Sequence, residues 1–284
     1  MRRITDVRLP RRPGSPDYDY LHWLTLDEND LITEISPMPA GDAIAGESWN
    51  GDRLSPRGID LQINGGLGLA FPELCEGDLP TLMELLELLW RDGVEAIAPT
   101  LVTCAVVPLR HSLSVLRKAR ALHRPGRCRL LGAHLEGPFL AKARRGAHPI
   151  EHVAEASLSA LEERIAGFEG EISLITLAPE QPGAEEVIRR LKALGIIAAL
   201  GHSEASADAA ALAYEQGVSM VTHCFNAMPG LHHRAPGPLG EACRRGDIAL
   251  GLIADGVHVH PTMAVLLQRM AGDQLVLVSD ALAP

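Results

Sequence analysis

The chain after residue 57 alternates between short, continuous apolar runs and longer amphipathic stretches. Short runs rich in Val, Ile, Leu and Ala are typical of parallel strands that are buried on both faces. Eight such runs occur, namely Ile59–Ile63, Ala96–Val102, Leu130–Leu135, Leu174–Ala178, Ile196–Leu200, Ser219–His223, Ile248–Ala254 and Leu275–Ser279. This pattern predicts eight parallel strands.

The stretches between these runs have apolar residues at helical spacing, and several end in glycine, as helix C-termini favour. The clearest cover residues 79–93, 108–122, 158–168, 183–195, 206–217 and 261–272. Strands that alternate with helices in this number predict an α/β fold, a (β/α)8 barrel of the TIM type over residues 57–284. Only Asp-Ala-Leu-Ala-Pro follows the eighth run, so we expect the barrel to lack its last helix.

Residues 1–56 differ from the rest of the chain. They include Pro10, Pro13, Pro16, Pro37 and Pro39, and they mix polar and apolar residues without a helical period. Such segments favour short strands and turns. We therefore predict a small, incomplete β-sandwich-like module that leads into the barrel.

Composition narrows the possible partners. The 284 residues have a formal net charge of −10, which argues against nucleic acid because phosphate contacts need clustered Lys and Arg. No apolar run is long enough to cross a bilayer, and the basic N-terminus lacks the apolar segment of a signal peptide. The five cysteines form no C-x-x-C pair, which favours a reducing cytoplasm.

Four chemically capable side chains lie where predicted strands end: Glu136, His202, His223 and Asp280. A single buried Glu or His is most often a structural group, but the active sites of TIM barrels are built at the C-terminal strand ends. One carboxylate and two imidazoles form the protein ligand set of a catalytic metal. A further carboxylate, Asp280, would act as the base. The sequence thus predicts a metal-dependent hydrolase.

Three other histidines compete for roles in this site. His134 shares a strand face with Glu136 but lies one pleat deeper, so we expect it in the core or supporting the ligands. His258 and His260 form an H-x-H pair after the seventh strand. Because the ligand set is already complete, we predict that His258 binds substrate and that His260 is structural.

The first strand ends in amides rather than imidazoles. Gln62 and Asn64 occur where many binuclear hydrolases have an H-x-H pair, and amides are poor ligands for borderline metals. One ion is therefore favoured over two, and Gln62 is expected to hydrogen-bond the reacting water. After the sixth strand, Asn226 and Arg234 suit a sugar hydroxyl and a phosphate, since arginine presents a fork of donors that matches phosphate oxygens.

Seven segments, taken in order, resemble the N-acetylglucosamine-6-phosphate deacetylase family of the amidohydrolase superfamily. They are IDLQINGG, HLEGPFL, TLAPE, GHSEAS, THCFNAMPGLHHRAPG, ADGVHVHP and LVSDALAP, and they span residues 58–284. Family members generally continue for about a hundred residues past the last of these segments, so the resemblance also implies a C-terminal truncation.

The resemblance implies a role for each matching residue. Glu136, His202 and His223 would hold one divalent ion, zinc or alternatively iron, and Asp280 would be the catalytic aspartate. His258 would contact the substrate near the scissile amide. The other implied substrate contacts are Ala147, Asn226, Ala227, Arg234, Asp255, Gly256 and Val257.

The implied reaction is hydrolysis of N-acetylglucosamine 6-phosphate to glucosamine 6-phosphate and acetate, catalysed by a cytoplasmic homodimer. Two alternatives remain open at this point. One is another amidohydrolase that acts on a cyclic amide, which the missing H-x-H pair disfavours. The other is a truncated relative that binds a sugar phosphate without turnover.

Overall fold

A computed structural model describes residues 1–10, 20–39 and 44–283. The chain divides into two compact units, with the boundary between Arg57 and Gly58. In the described part of the chain, no helix is long and apolar enough to span a bilayer.

The first unit contains a four-stranded sheet. Its strands are β1 (Arg2–Val7), β2 (His22–Leu26), β3 (Ile32–Pro37) and β4 (Glu47–Ser48). They lie in the order β3-β2-β1-β4, with the β1–β4 pair parallel and the others antiparallel. A small apolar core of Ile4, Val7, Leu24 and Leu26 covers one face. Pro13 and Pro16, which supported the predicted module, lie outside the described residues, and a sandwich-like arrangement stays a prediction.

The second unit is a barrel of parallel strands. Its long path runs β15-β14-β13-β12-β11-β10-β8-β5, and every pair along it is parallel. These eight are β5 (Gly58–Ile63), β8 (Val94–Val102), β10 (Ala133–Glu136), β11 (Ile172–Leu177), β12 (Ile197–Leu200), β13 (Val218–Val221), β14 (Ala249–Ile253) and β15 (Leu275–Val278). The short strands are β6 (Gly65–Gly66), β7 (Leu69–Ala70) and β9 (Arg129–Leu130).

Hydrogen bonds beyond the ends of β5 and β15 close the barrel. The Asp280 amide donates to the Gln62 carbonyl at 2.7 Å, and the Asn64 amide donates to the Ala281 carbonyl at 2.8 Å. An Asp60 carboxylate oxygen bridges the same seam, accepting from the Gln62 and Ser279 amides. The predicted TIM-type fold is therefore confirmed.

Helices surround the barrel. Of the seven in the described residues, six coincide with the predicted amphipathic stretches, and the sixth along the chain lies in a segment where none of those stretches falls. The seven helices are α1 (Leu79–Arg91), α2 (Val106–Ala121), α3 (Leu158–Ile165), α4 (Ala184–Leu194), α5 (Ala207–Gln216), α6 (Gly237–Arg245) and α7 (Pro261–Ala271). Short 3-10 turns cover Phe71–Glu73, Glu76–Asp78, Lys142–Arg144, Ile150–His152, Glu169–Glu171 and Gly272–Gln274. Residues 279–283, which follow β15, form no helix.

Helix α4 illustrates why the pattern predicts these elements well. Val187, Ile188 and Leu191 recur at helical spacing and are completely buried. Gly183 and Gly195 flank the helix with left-handed backbone, at φ 82° and 71°, where a side chain would be strained. The third predicted strand, in contrast, is interrupted at Gly132. A Cβ there would approach the Ser173 nitrogen to 2.6 Å, so the close approach of β11 requires glycine.

Candidate metal centre

The four residues predicted from strand ends all lie at the C-terminal mouth of the barrel. Glu136 is the last residue of β10, and the other three follow β12, β13 and β15 by two residues each. Those three, His202, His223 and Asp280, have positive φ angles of 48°, 28° and 49°. Such backbone costs about 1 kcal/mol or more per residue and persists where surrounding structure enforces it. At each of these three residues the chain turns sharply after its strand, which changes the direction of the side chain relative to the strand.

Glu136, His202 and His223 form a tight triangle of donor atoms. Glu136 Oε1 lies 3.1 Å from His202 Nε2 and 3.0 Å from His223 Nε2, and the two imidazole nitrogens are 3.0 Å apart. All three side chains are buried. Ligands bound tetrahedrally to one zinc ion at about 2.0 Å are about 3.3 Å apart. The spacing of these atoms therefore fits one divalent ion.

A hydrogen bond to the other nitrogen of the His202 ring supports this fit. His202 Nδ1 donates to the Arg144 carbonyl at 2.8 Å, which leaves the lone pair on Nε2, facing Glu136. Ligating histidines commonly anchor the other ring nitrogen in this way. His223 Nδ1 is buried and has no hydrogen-bond partner among the described residues.

The carboxylate of the triangle is ready to bind a cation, whereas His223 must be neutral to bind one. Burial favours the neutral carboxyl, but the adjacent His202 and His223 imidazoles lower the pKa of Glu136 well below its ordinary value. Burial likewise opposes a charged His223, but the hydrogen bond and charge of Glu136 outweigh it and raise the pKa of that imidazole. The carboxylate is thus anionic, as a metal ligand must be.

His148 is a third imidazole at the site, and no sequence pattern predicted it. Its Nε2 lies 3.8 Å from Glu136 Oε2, and its ring packs edge-on against His202 at 4.5 Å. Ligand atoms of Glu136, His148 and His202 lie within 4.8 Å of one another. His148 belongs to a loop well past β10, so the strand-end pattern does not identify it. The sequence pointed to this loop only through its neighbour Ala147, an implied substrate contact.

The hydrogen bonds of His148 differ from those of His202. His148 Nδ1 faces Thr103, whose Oγ1 lies at 2.9 Å and whose amide donates at 3.2 Å. The amide favours a lone pair on Nδ1, whereas Oγ1, which donates its own proton to the Glu136 carbonyl, favours a proton there. Burial lowers the pKa of His148 to about 4, which keeps the ring neutral. His148 therefore presents the Nε2 of a neutral ring to the site.

Asp280 is held beside the triangle by an amide side chain. Asn64 Nδ2 donates to Asp280 Oδ1 at 2.6 Å. Burial, reinforced by the charge of Glu136, raises the pKa of Asp280. Gln62 Nε2 donates to Glu136 Oε1 at 3.1 Å, so the two amides after the first strand orient the two carboxylates of the site.

His134 lies beneath the site, within the barrel. Its Nε2 is 2.7 Å from Thr176 Oγ1, which in turn is 2.7 Å from Thr222 Oγ1. Burial lowers the pKa of His134 to about 4. These three buried side chains form a row of hydrogen bonds from β10 through β11 to Thr222, which directly precedes His223.

The residues of the loop after β14 form a local pair. Asp255 Oδ2 accepts from His258 Nδ1 at 2.8 Å, and Asp255 Oδ1 accepts from the Val257 and His258 amides. These bonds, led by the His258 amide, lower the pKa of Asp255 to about 2. Gly256 completes the turn with φ 76°. His258 Nε2 thus remains available, while His260 caps α7 by accepting from the Thr262 amide.

The remaining predicted substrate residues lie on loops at the surface. Ala147 is exposed, and Asn226 and Ala227 are half-buried. Asn226 Nδ2 donates to the His223 and Cys224 carbonyls, which binds it to its own loop. Arg234 is exposed and lines a surface cavity of about 290 Å³ between the start of α5 and the start of α6.

No family model matches the chain. Individual relatives do match. The chain is 38% identical over 236 residues to the N-acetylglucosamine-6-phosphate deacetylase of Bos taurus, covering 80% of this chain and 57% of that protein. It is 33% identical over 253 residues to the N-acetylgalactosamine-6-phosphate deacetylase of Escherichia coli O157:H7, covering 89% and 65%.

A solved structure agrees with these relatives. The N-acetyl-D-glucosamine-6-phosphate deacetylase of Mycobacterium smegmatis, as a mutant in complex with N-acetyl-D-glucosamine-6-phosphate, matches with a TM-score of 0.79 and 27% identity. The match covers 99% of this chain and 71% of that one. The chain spans about three fifths of the length of the curated relatives. Over most of its length the chain is therefore similar to N-acetylglucosamine-6-phosphate deacetylases.

Proposed function

We propose that this chain hydrolyses the N-acetyl group of N-acetylglucosamine 6-phosphate, releasing glucosamine 6-phosphate and acetate. One observation carries the proposal: three buried donor atoms 3.0–3.1 Å apart lie at the mouth of a TIM barrel. Asp280 adds a carboxylate whose hydrogen-bond donor is the Asn64 side-chain amide rather than a member of that triangle. The proposed substrate class, an N-acetylated amino-sugar phosphate, is taken from the names of the relatives.

Glu136, His202 and His223 are the proposed ligands of one divalent ion, zinc or alternatively iron. His148 competes with His223 as the third ligand, but His148 Nε2 lies 3.8 Å from Glu136 Oε2, whereas His223 Nε2 lies 3.0 Å from both Glu136 Oε1 and His202 Nε2. When bound, a divalent ion lowers the pKa of water and polarises a carbonyl. We assign His148 to hydrogen-bond donation instead, directed at the oxygen on which negative charge develops.

Asp280 is the proposed general base. Asn64 occupies Oδ1, which leaves Oδ2 to accept a proton from the attacking water. The water oxygen forms a bond to the acetyl carbon, and the carbon–nitrogen bond then breaks. Asp280 returns the proton to the departing amine, so that the products are the free amine and acetate.

His258 is the second proposed catalytic group, and it orients the acetamide through Nε2. Its partner Asp255 keeps Nδ1 engaged and thereby fixes which nitrogen faces the substrate. Binding to parts of the substrate remote from the reaction improves alignment at the amide. The proposed contacts for the sugar and phosphate are Gln62, Ala147, Asn226, Ala227, Arg234, Asp255, Gly256 and Val257.

A second candidate substrate is N-acetylgalactosamine 6-phosphate, because a 33% identical relative is named for that activity. Either substrate would be met in the cytoplasm, and by family resemblance the active form is a homodimer. No nucleic acid or membrane partner is proposed.

The test is acetate release by the purified 284-residue chain, loaded with Zn²⁺ or Fe²⁺. Both sugar phosphates are assayed beside a cyclic amide such as dihydroorotate. We expect acetate from a sugar phosphate and no opening of the cyclic amide. Ring opening alone would instead favour the cyclic-amide alternative. Bound metal without acetate release would favour a relative that binds sugar phosphate without turnover.

A further inference from the structure

Two neighbouring loops at the barrel mouth are joined by one carboxylate. Glu180 ends the TLAPE segment after β11, and its two oxygens both bind the loop after β12. Glu180 Oε2 accepts from Ser203 Oγ at 2.7 Å, and Glu180 Oε1 accepts from the Glu204 amide at 2.6 Å. These are the two residues that directly follow His202. The TLAPE segment, which has no other role in the proposed chemistry, thus meets the GHSEAS segment of His202 at this carboxylate.

The backbone that carries His202 depends on that loop. His202 has φ 48°, a conformation that a histidine adopts only when neighbouring contacts enforce it. The His202 carbonyl accepts from the Ala141 amide at 2.9 Å, and the Ser203 amide donates to the Ala227 carbonyl at 3.1 Å. Ser203 is completely buried. Its hydroxyl contact with Glu180 adds a side-chain restraint immediately after the strained residue.

The geometry of these bonds favours a carboxylate. Hydrogen bonds to an ionised acceptor are shorter and stronger than neutral ones, and both bonds of Glu180 are short. Ser203 Oγ also accepts from the Ala205 amide at 2.9 Å, so its own proton is free to point at Glu180. The carboxylate therefore holds the loop by two bonds that act on successive residues.

We propose that Glu180 is a positioning residue that holds His202 Nε2 in the triangle with Glu136 and His223. This inference rests on the metal site proposed above. Glu180 acts through Ser203 and the backbone of the loop. Partners that orient a metal ligand typically change metal affinity by about ten- to a hundredfold when removed, and we expect about tenfold for this indirect contact.

Glu180→Ala, Glu180→Gln and Glu185→Ala test the proposal. Gln at position 180 keeps an acceptor for the Glu204 amide but has no charge and no second acceptor for the Ser203 hydroxyl, so it should restore part of the hold. Glu185 is exposed on α4 and forms an ion pair with Arg189, which makes it the matched control. Metal affinity is measured by chelator competition with Zn²⁺, and ligand geometry by the visible absorption of bound Co²⁺.

We expect Glu180→Ala to bind Zn²⁺ about tenfold more weakly and to shift the Co²⁺ spectrum. Glu180→Gln should fall between that variant and wild type, and Glu185→Ala should match wild type. Wild-type affinity and spectrum in Glu180→Ala would overturn the inference, as would equal weakening in Glu180→Gln. If Glu180→Ala does not fold, Ser203→Ala removes one of the two bonds and should still weaken binding. A wild-type chain that binds neither ion would refute the metal site itself, which distinguishes the two failures.

Discussion

Replacing Asp280 by Asn tests the proposed base with little change to the fold. The Asp280 amide closes the barrel through a 2.7 Å bond to the Gln62 carbonyl, and the backbone N–H is unaltered in the variant. Asparagine tolerates the φ of 49° found here. Its Oδ1 can still accept the bond from Asn64. The variant therefore loses one function, acceptance of a proton at Oδ2.

The expected loss follows from that change. General acid–base catalysis contributes at least about a hundredfold, or about 2.7 kcal/mol of transition-state stabilisation. Acetate release is measured in the metal-loaded chain, and metal content is determined on the same sample. We expect full metal content with turnover reduced at least about a hundredfold. Turnover within a few fold of wild type would refute the role of Asp280, and loss of metal would show that it acts as a ligand.

Two further predictions concern stability. Burial raises the pKa of Asp60, so its charge destabilises the folded chain at neutral pH, and this cost disappears as pH falls below the ordinary Asp pKa of about 3.9. Asp60→Asn keeps the acceptor for the Gln62 and Ser279 amides and should be at least as stable as wild type at pH 7 by urea unfolding. Asp60→Ala should lose about 1–3 kcal/mol, and an unchanged midpoint would contradict the bridging role. Zn²⁺ at a hundredfold excess over Kd should stabilise the chain by about 2.7 kcal/mol, seen as a higher Tm, whereas His223→Ala should show almost no shift.

Local sequence patterns predicted most of the barrel. Buried strands and amphipathic helices are encoded by periodicity within a few consecutive residues, so their bounds agree with the structure to within two or three positions. The break in the third strand was missed, because it depends on how closely β11 approaches Gly132. Strand topology then brought Glu136, His202 and His223 together, since parallel strands in a barrel share one C-terminal mouth.

Other parts of the site arise from long-range packing. His148 reaches Glu136 from a loop whose path no periodic pattern describes. Which nitrogen of the neutral His202 ring carries the proton depends on the Arg144 carbonyl, which is 58 positions away along the chain.

The sequence by itself determined the order of strands and helices and the residues at the strand ends, because each of these is a property of neighbouring positions. Only the tertiary structure decided which groups support them: Asn64 on Asp280, Gln62 on Glu136, and Glu180 on the loop of His202. Those pairs join residues up to 216 positions apart. Their contacts follow from closure of the barrel and from the short distance between adjacent loops, which no local pattern records.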